Sequence, residues 1–439
     1  MSTPSPADKS RSRQVTAPRG PRRLFEQVGG ATTTLAEHRQ RFAPPVVASR
    51  ADHTIINAVE ASGLRGRGGA GFPTATKMRA VVGASSLRRS PVVVVNGTEG
   101  EPISWKDATL LELQPHLVID GALNAAMAVG AREIRVCIER GNDRAAEAVH
   151  FALRERERVE RSGAMVTVHR TPPRYVAGEE SALVHWLNGG EAKPTKVPPR
   201  PFQKGVDGNP TLVNNVETFA HLAQIVQYGP EWFRRFGTES EPGTSLMTLT
   251  GVDRPAVYET PIDARLDDLL RLAGTSNGVS AVLLGGYFGT WITADEAKDA
   301  RLSNASLRPI GAALGCGVVA VLPTVSCGVV ETTRVMRWMA NETANQCGPC
   351  VNGLLAIAES TTAIANGRGG DDEVARLQRW AAMIDGRGAC RFPDGAIRFL
   401  RSALRVFEHD FQLHAKGIAC AATRAPRTLP IPRIHEGWR

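Results

Sequence analysis

Short apolar segments alternate with long amphipathic ones between residues 52 and 240, and this alternation restricts the fold more than any other feature of the chain. The amphipathic segments at 107–130 and 143–161 have the periodicity of helices. The apolar segments have the length of strands: PVVVV at 91–95, IRVCI at 134–138 and AMVTV at 164–168. Strands that alternate with helices in this way predict an α/β domain with a mostly parallel sheet covered by helices.

The remaining sequence predicts two further units. From 241 to 325, short strand patterns surround one helical segment, LDDLLRLAG, as in a small α+β domain of β-grasp type. After residue 326 the patterns are helical, at 328–342, 349–366, 371–385 and 393–411. We therefore predict five segments: a disordered, basic N-terminal extension (1–50), an α/β domain (51–240), a β-grasp-like domain (241–325), a helical domain (326–415) and a C-terminal tail (416–439).

Charge and cysteine content narrow the class of protein. The net charge is +9, but aromatic residues make up only 5% and the arginines are scattered, so we expect no nucleic-acid partner. An acidic protein partner such as a ferredoxin explains the basic charge at least as well. Seven cysteines are an odd number, which argues against a disulfide framework and for a reducing compartment, so we expect a cytoplasmic protein.

The first 24 residues are rich in Ser, Pro and Arg and lack the apolar stretch of a secretory signal. Their composition predicts a disordered, basic extension. The chain has no run of 18 or more apolar residues, so the sequence predicts no transmembrane helix. Any association with a membrane is therefore expected to be peripheral and to depend on partner proteins.

The segment GLRGRGGAGFPTATK at 63–77 is rich in glycine and ends in Lys77. Glycines let the backbone approach a ligand closely and direct consecutive N–H groups at an anion, and the ammonium of Lys77 can supply a point charge to a phosphate. The segment follows a helical pattern and lacks the ending of a Walker P-loop, so it matches neither standard nucleotide-binding motif. Taken alone, a flexible turn is an equally good interpretation.

Polar residues at the ends of apolar segments form a second group of candidate ligands. The first of them follow a strand, at the carboxyl end where ligands bind in open α/β sheets. The others lie at predicted helix starts, where interaction with the helix dipole or capping is the alternative role. The candidates are Asn96, Glu99 and Glu101 in NGTEGEP, Gly178, Glu179 and Glu180 in GEESAL, and Asn214 and Asn215 in NNVET.

Cys347 and Cys350 form the sequence CGPC, which occurs in thioredoxin-type dithiols and also suits an iron–sulfur cluster. In thioredoxins the motif follows a strand of a small α/β fold, whereas here helical patterns precede and follow it. A thioredoxin domain is therefore disfavoured. The local sequence leaves a redox dithiol, structural cysteines and a metal cluster open.

The glycine-rich loop and the motifs VNGTEGEP, GEESAL and NNVET, in this order and spacing, resemble the family of the flavoprotein (F) subunits of NADH-quinone oxidoreductase. That family includes the diaphorase subunits of soluble hydrogenases and formate dehydrogenases. The resemblance covers about residues 52–415. It implies that the α/β domain binds FMN, that the second domain is a β-grasp domain of SLBB type, and that the helical domain holds a [4Fe-4S] cluster.

The same resemblance implies roles for individual residues. The flavin ligands would come from all four motifs: Gly66, Arg67, Gly68, Gly69, Gly71, Asn96, Glu99, Gly178, Glu179 and Glu180 around the flavin, and Lys77, Asn214 and Asn215 at its phosphate. Phe72 and Glu101 would lie on the nicotinamide side, with Glu101 as the candidate catalytic residue. FMN accepts a hydride as an electron pair and releases the electrons singly to iron–sulfur centres.

The cluster motif departs from the family. Members carry ESCGxCxPC and a fourth cysteine about 40 residues later, whereas this chain carries ETANQCGPC. Cys347, Cys350 and Cys390 match three of the ligands, and Ala344 occupies the position of the first. We therefore expect a cluster with an atypical fourth ligand. A water or non-cysteine ligand, Cys327, a three-iron cluster and no cluster at all stay open.

The nucleotide site also departs from the family. Ala80 and Arg200 stand where aromatic residues help to stack the adenine, and Thr98 replaces an acidic residue beside the flavin. Arginine can stack on adenine or bind a 2′-phosphate. NADH and NADPH are therefore both candidate donors, and loss of nucleotide binding is the alternative.

Together these features predict an FMN-dependent NAD(P)H dehydrogenase. It would pass electrons singly through an iron–sulfur cluster to a ferredoxin-like or quinone-linked partner. The alternative is a flavin and iron–sulfur electron-transfer module that has lost NADH binding and exchanges electrons with a ferredoxin.

Overall fold

The computed structural model describes most of the chain. The described residues are 23–25, 30–45, 53–86, 88–160, 163–370, 372–418, 420–424, 426–432 and 437–439. Most of the basic lead that the sequence predicts to be disordered lies outside this set. None of the helices in the described ranges is long and apolar enough to cross a membrane.

The first unit contains a parallel sheet. Its strands are β1 (Val92–Gly97), β2 (Glu133–Glu139), β3 (Met165–Thr171) and β4 (Thr211–Asn215). All neighbours are parallel, in the order β3-β2-β1-β4. The first three strands confirm the sequence prediction, whereas β4 was not predicted. The chain leaves β1 towards β2 and β3 on one side and returns to β4 on the other, so a crevice opens beyond the carboxyl ends of β1 and β4.

Helices cover this sheet on both faces. They are α1 (Leu35–Arg39), α2 (His53–Ser62), α3 (Thr74–Ala84), α4 (Lys106–Leu113), α5 (Pro115–Val129), α6 (Asp143–Val159), α7 (Glu180–Leu187), α8 (Val216–Tyr228) and α9 (Pro230–Phe233). Helix α5 is buried along almost its whole length and packs closely on α8. A side chain at Gly121 would place its Cβ 1.8 Å from the carbonyl oxygen of Phe219, so the close contact of α5 with α8 requires glycine there.

The predicted helix over 107–130 is two helices, α4 and α5. Gln114 separates them with non-helical backbone angles, and Pro115 begins the second helix. Proline lacks an N–H group and its ring disfavours a helical conformation in the preceding residue, so it begins a helix more easily than it continues one. The amphipathic pattern continues across the break because both helices bury apolar residues in the same core.

The prediction of a disordered N-terminal extension is wrong for residues 30–45. This segment contains α1, which begins with a capping box between Thr34 and Glu37. Leu35 is buried, and Phe42 is buried in the core of the α/β unit. Burial of these apolar side chains offsets the entropy lost on ordering the segment.

The second unit is a five-stranded mixed sheet. Its strands are β5 (Thr244–Thr250), β6 (Ala256–Pro261), β7 (Ala281–Leu284), β8 (Thr290–Thr293) and β9 (Val318–Leu322), and its helices are α10 (Leu266–Ala273), α11 (Ala294–Asp299) and α12 (Asn304–Leu307). The order is β6-β5-β9-β7-β8, with β5 and β9 parallel and the other pairs antiparallel. This is the small α+β unit that the sequence predicts. Its assignment to the SLBB type stays a prediction.

The segment AVLLGGYFGTWI, which reads as one strand pattern, is the hairpin of β7 and β8. Gly285 and Gly286 adopt φ values of +90° and +91°, a conformation that L-residues rarely adopt. The chain therefore turns between the two halves of the apolar pattern.

The last unit is helical, as predicted. It contains α13 (Gly328–Asn341), a π-helical turn (Pro349–Leu354), α14 (Leu355–Ala365), α15 (Glu373–Ile384), α16 (Phe392–Val406) and α17 (Glu408–Ala415). The predicted helix over 393–411 is divided at Phe407 into α16 and α17. The exact domain boundaries that we gave stay predictions.

Candidate functional site

The glycine-rich loop lies between α2 and α3 and rests on the start of α8. Its two ends are joined by a hydrogen bond from the Gly66 amide to the Phe72 carbonyl, 2.9 Å long. The Arg67 amide donates to the hydroxyl of Thr218, also at 2.9 Å. A Cβ at Gly68 would lie 3.3 Å from the Cβ of Asn215, whereas one at Gly71 would meet open space. The loop therefore packs on one side and is open on the other.

Arg67 anchors this loop instead of pointing at a ligand. Its guanidinium donates to the carbonyl oxygens of Pro242 and Thr244 and lies 3.8 Å from Glu217. Burial lowers the pKa of Arg67, and the charge of Glu217 opposes that shift. Because the side chain of Arg67 is engaged in these contacts, the predicted flavin contact of this residue would come from its backbone.

The carboxyl ends of β1 and β4 bring three asparagines together. Asn96 pairs with Asn215 in the sheet register, and Asn214 lies one position earlier. The side-chain amide of Asn96 donates to the Gly178 carbonyl at 2.8 Å. The Nδ2 of Asn214 is buried and has no hydrogen-bond partner within the described part of the chain. A buried amide donor without a partner costs free energy, so Asn214 is suited to an acceptor on a ligand.

The capping role that we gave as the alternative is found at two candidates. The Asn215 side chain caps α8 by accepting from the Glu217 amide, and Glu179 caps α7 by accepting from the amides of Ser181 and Ala182. Both residues still lie at the same edge of the sheet as the loop. Capping does not exclude ligand contact, but it explains these two residues without a ligand.

Glu99 binds the start of α4. Its carboxylate accepts from the Ser104 hydroxyl and from the amides of Asp107 and Ala108 at the start of α4, at 2.5, 3.1 and 3.0 Å. These three bonds stabilise the helix terminus. The flavin contact implied for Glu99 therefore stays a prediction without support from this arrangement.

Lys77 joins the loop to the other motifs. Its ammonium lies 3.0 Å from the carboxylate of Glu180 and donates to the Val213 carbonyl at 2.9 Å. The starts of α3 and α7 therefore converge on the end of β4. Lys77 follows the glycine-rich loop and Glu180 begins α7, but their charged groups pair with each other.

A buried group of charges beside this edge was missed by the sequence analysis. The Lys106 ammonium lies 2.7 Å from Asp107 and 3.0 Å from Glu217, and it donates to Asn215 at 3.2 Å. Burial alone would lower the pKa of Lys106, but the charges of Asp107 and Glu217 outweigh it and raise the pKa. A Lys–Asp pair at the start of an otherwise apolar helical segment, WKDATLLEL, was the available signal.

Glu101 is held between the first and second units. It accepts from the Tyr175 hydroxyl at 2.9 Å and from the Tyr287 amide at 2.8 Å. Burial raises its pKa to about 7, although both hydrogen bonds lower it. A Cβ at Gly286 would lie 2.5 Å from its carboxylate and 2.9 Å from the Cys316 thiol. Phe72, the other predicted residue on this side, is exposed.

The three predicted cluster cysteines lie close together between α13 and α16. Burial raises the pKa of Cys350, and the nearby Cys347 and Cys390 raise it further. Burial also raises the pKa of Cys390, to which Glu179 and Cys347 contribute. Glu179 is part of the glycine-loop site, so the two predicted sites are neighbours.

Two other residues bear on the fourth cluster ligand. Ala344, at the position of the missing cysteine, is buried. Cys327 lies just before α13, a helix of 14 residues, so it is about 20 Å from the end that leads to Cys347. This arrangement gives no support to completion of the group by Cys327, and that alternative stays a prediction.

An aromatic cluster joins the two sites. The ring of Tyr175 contacts those of Phe288, Trp338 and Phe392, with centroids 4.6, 5.1 and 5.8 Å apart. Phe392 follows Cys390 by two residues, and Tyr175 precedes Gly178 by three. The packing therefore fixes the cysteines relative to the loop.

These residues fit an FMN phosphate and an iron–sulfur cluster. The loop offers open glycine backbone, Asn214 offers an unpaired donor and α8 offers a helix N-terminus. Three adjacent thiols would supply three ligands of a cluster, and Ala344, at the sequence position of the remaining ligand, offers no sulfur.

The comparisons with known proteins agree with this geometry. Residues 59–224 match the family model described as the Nuo51 FMN-binding domain, and residues 331–414 match that of the NADH-ubiquinone oxidoreductase-F iron-sulfur binding region. The F 2 subunit of NADH-quinone oxidoreductase from Rhizobium meliloti (strain 1021) is 32% identical over 422 residues, which cover 93% of this chain and 98% of that protein. The chain belongs to the F-subunit family of NADH-quinone oxidoreductase.

Another member and one solved structure support this membership. The F subunit of NADH-quinone oxidoreductase from Streptomyces coelicolor is 32% identical over 87% of each chain. The crystal structure of an NAD+-reducing [NiFe]-hydrogenase in the H2-reduced state superposes with a TM-score of 0.77 at 29% identity, over 87% of this chain and 67% of that one. The predicted family, the fold class, the FMN-binding domain and the iron–sulfur region are thereby confirmed. The roles of individual residues stay predictions.

Proposed function

We propose that this protein is an FMN-dependent NADH dehydrogenase that passes electrons singly through a cluster at Cys347, Cys350 and Cys390. The observation that carries the proposal is the closeness of the two sites within one chain, where Glu179 caps a helix of the flavin site and influences the Cys390 thiol. FMN supplies the conversion between hydride transfer and single-electron transfer.

The chain's own residues would divide the work as follows. The open backbone of the loop and the free donor of Asn214 would bind the cofactor. Glu101, held by Tyr175 and Tyr287, would lie beside the nicotinamide and stabilise positive charge there. The aromatic packing around Tyr175 would keep the cluster at a fixed distance from the flavin.

The electron acceptor would be another iron–sulfur protein. The named relatives are subunits of NADH-quinone oxidoreductases, and the solved structure is a hydrogenase, which supports an iron–sulfur partner subunit. A ferredoxin-like or quinone-linked partner remains our specific proposal. Attachment to a membrane, where it occurs, would be peripheral and would run through such partners.

Anaerobic stopped-flow absorbance tests the function. We expect NADH to bleach the flavin first and the cluster band afterwards. In Cys390→Ser the flavin should still be reduced, but electrons should no longer reach an added ferredoxin. If neither NADH nor NADPH reduces the flavin while reduced ferredoxin does, the protein is the electron-transfer module that we gave as the alternative.

A further inference from the structure

A second group of metal-ligating side chains lies at the other end of α13. It consists of Cys327 before α13, His414 in α17 and Cys420 at the start of the tail. One ligand atom from each residue lies within 4.8 Å of the other two. Cys327 and His414 are buried and Cys420 is partly buried. Helix α13 is about 20 Å long, and Cys327 precedes its first residue whereas Cys347 and Cys350 follow its last, so we treat the two groups as separate sites.

The spacing of these atoms suits a tetrahedral metal ion. Cys327 Sγ and His414 Nε2 are 3.7 Å apart. In a tetrahedral zinc site, bond lengths of about 2.3 Å to sulfur and 2.0 Å to nitrogen place those atoms about 3.6 Å apart. An ion therefore fits with little movement of either side chain.

The imidazole of His414 is held by a hydrogen bond with the backbone of Ala365. The Nε2 atom accepts a long bond of 3.4 Å from the Cys420 amide. The Nε2 atom therefore faces Cys327 and Cys420, and a metal would replace its long bond with the Cys420 amide.

We propose that Cys327, His414 and Cys420 bind one Zn²⁺ ion, with a solvent molecule as the fourth ligand. Two thiolates and one imidazole are a ligand set that zinc prefers over magnesium or calcium. Among the described residues, no fourth His, Cys, Asp or Glu joins the group.

The ion would fasten the C-terminal tail to the helical domain. Beyond Cys420, the tail amides of Thr428 and Leu429 donate to Glu331 of α13, at 3.2 and 3.0 Å. The Tyr287 hydroxyl donates to the Pro430 carbonyl at 2.6 Å. Glu331 lies about one helical turn after Cys327. The metal would therefore hold the tail close to the point where its contacts with α13 begin.

Element-specific measurements on the anaerobically purified holoprotein test the site. We expect about one zinc per chain by mass spectrometry, and an X-ray absorption spectrum at the zinc edge with two sulfurs near 2.3 Å and nitrogen or oxygen near 2.0 Å. Cys327→Ser and Cys420→Ser should each lose the zinc while FMN and iron content stay the same. His409→Gln, an exposed histidine on the same helix, should keep it.

Several results would overturn the proposal. The first is wild-type protein without zinc that also fails to take up one equivalent of added Zn²⁺. A zinc spectrum without sulfur neighbours would do the same, and it needs no variant to fold. Zinc retained in both serine variants, or a Cys327–Cys420 disulfide in unreduced peptides from the purified protein, would also exclude the site.

Discussion

Glu101 takes its hydrogen bonds from two parts of the chain at once. Tyr175 precedes the start of α7, and Tyr287 lies in the hairpin of the second unit. Burial raises the carboxyl pKa to about 7, so its charge changes in the neutral range. The reaction proposed for the site should therefore depend on pH through the ionisation of Glu101.

Glu101→Gln tests that connection. The ionised carboxylate should stabilise the positive charge that develops on the nicotinamide as hydride leaves. We expect the rate of flavin reduction by NADH to rise about tenfold from pH 6 to pH 8 in the wild type and to stay flat and low in the variant. Stopped-flow rates across that range provide the measurement.

Tyr175→Phe is the matched variant for this experiment. It removes a donor that lowers the Glu101 pKa, so the rise in rate should move to higher pH. A rise that persists at the same pH in Glu101→Gln would show that another group is responsible.

Asn214 and Asn215 are neighbours with different expected roles. Asn214→Ala should weaken FMN binding by about tenfold, because its donor has no other partner in the described structure, and should leave the apoprotein's stability unchanged or slightly higher. Asn215→Ala removes the cap of α8 and should lower apoprotein stability by about 1 kcal/mol. Flavin fluorescence titration and urea unfolding measure the two effects. Equal effects of both variants on apoprotein stability would contradict this distinction.

At the scale of elements, α1, α5 and α6 are joined by buried charges. Asp120 in α5 lies 2.7 Å from both His38 and Arg39 of α1 and 2.8 Å from Arg156 of α6. Although burial alone would raise the pKa of Asp120, these partners hold it below its usual range. The N-terminal segment is thus tied to the α/β unit by charge as well as by its apolar residues.

Asp120→Asn should destabilise the protein by about 3 kcal/mol, because it removes the buried charge shared by the partly buried Arg39 and the buried Arg156. Among the described residues, both arginines then keep only Glu160 as an ion-pair partner. A carboxyl group with a lowered pKa contributes stability above its unfolded-state pKa and loses it as the pH falls through the folded-state value. The wild type should therefore lose this advantage over the variant in strong acid. Urea unfolding at several pH values measures both effects.

Asp143→Asn is the control for Asp120→Asn. Asp143 is exposed and pairs with Arg170 on the surface, so its loss should change stability by less than about 1 kcal/mol. Similar losses for the two variants would show that burial of the Asp120 network contributes little.

How far the sequence predicts this fold depends on whether the signal is local. The apolar run at 91–95 predicts its strand because a strand that is buried on both faces of a sheet is apolar at consecutive positions, and this pattern lies within the run itself. The break before Pro115 is also a local signal, but the amphipathic pattern across it masked the break. Strand β4 was not predicted because its last two residues, Asn214 and Asn215, were interpreted as helix caps.

The site is predicted less completely than the fold. The sequence places Asn96, Glu99 and Glu101 at the carboxyl end of a strand, where the structure has them. The pairing of Lys106 with Glu217, in contrast, depends on a contact between elements that are distant in the sequence. The same holds for Cys327, which is far from Cys347 but close to Cys420. No local pattern encodes such pairings, because each partner lies on a different element.

At the scale of the whole molecule, the flavin and cluster sites meet across the aromatic contacts of Tyr175. Ala344 stands at the position where the sequence analysis expects the first cluster ligand. If the fourth iron has no cysteine, it should be labile on oxidation.

Ala344→Cys tests this consequence by supplying the fourth thiolate. After mild oxidation, the wild type should lose about one iron per cluster and give a three-iron EPR signal, whereas the variant should keep all its iron. Ala382→Cys, which adds a thiol on the exposed face of α15, should behave like the wild type. Equal iron loss in wild type and Ala344→Cys would mean that the added sulfur does not reach the cluster.

Gly286 carries a consequence for protein engineering. A Cβ there would press on both the Glu101 carboxylate and the Cys316 thiol, and the backbone is in the left-handed region. A chimera that exchanges the β-grasp-like unit between relatives must therefore keep a glycine at this position and an amide aimed at Glu101. In a chimera that supplies neither, both units could fold, but the contact between them would be disrupted and the Glu101 carboxylate would be displaced from its site.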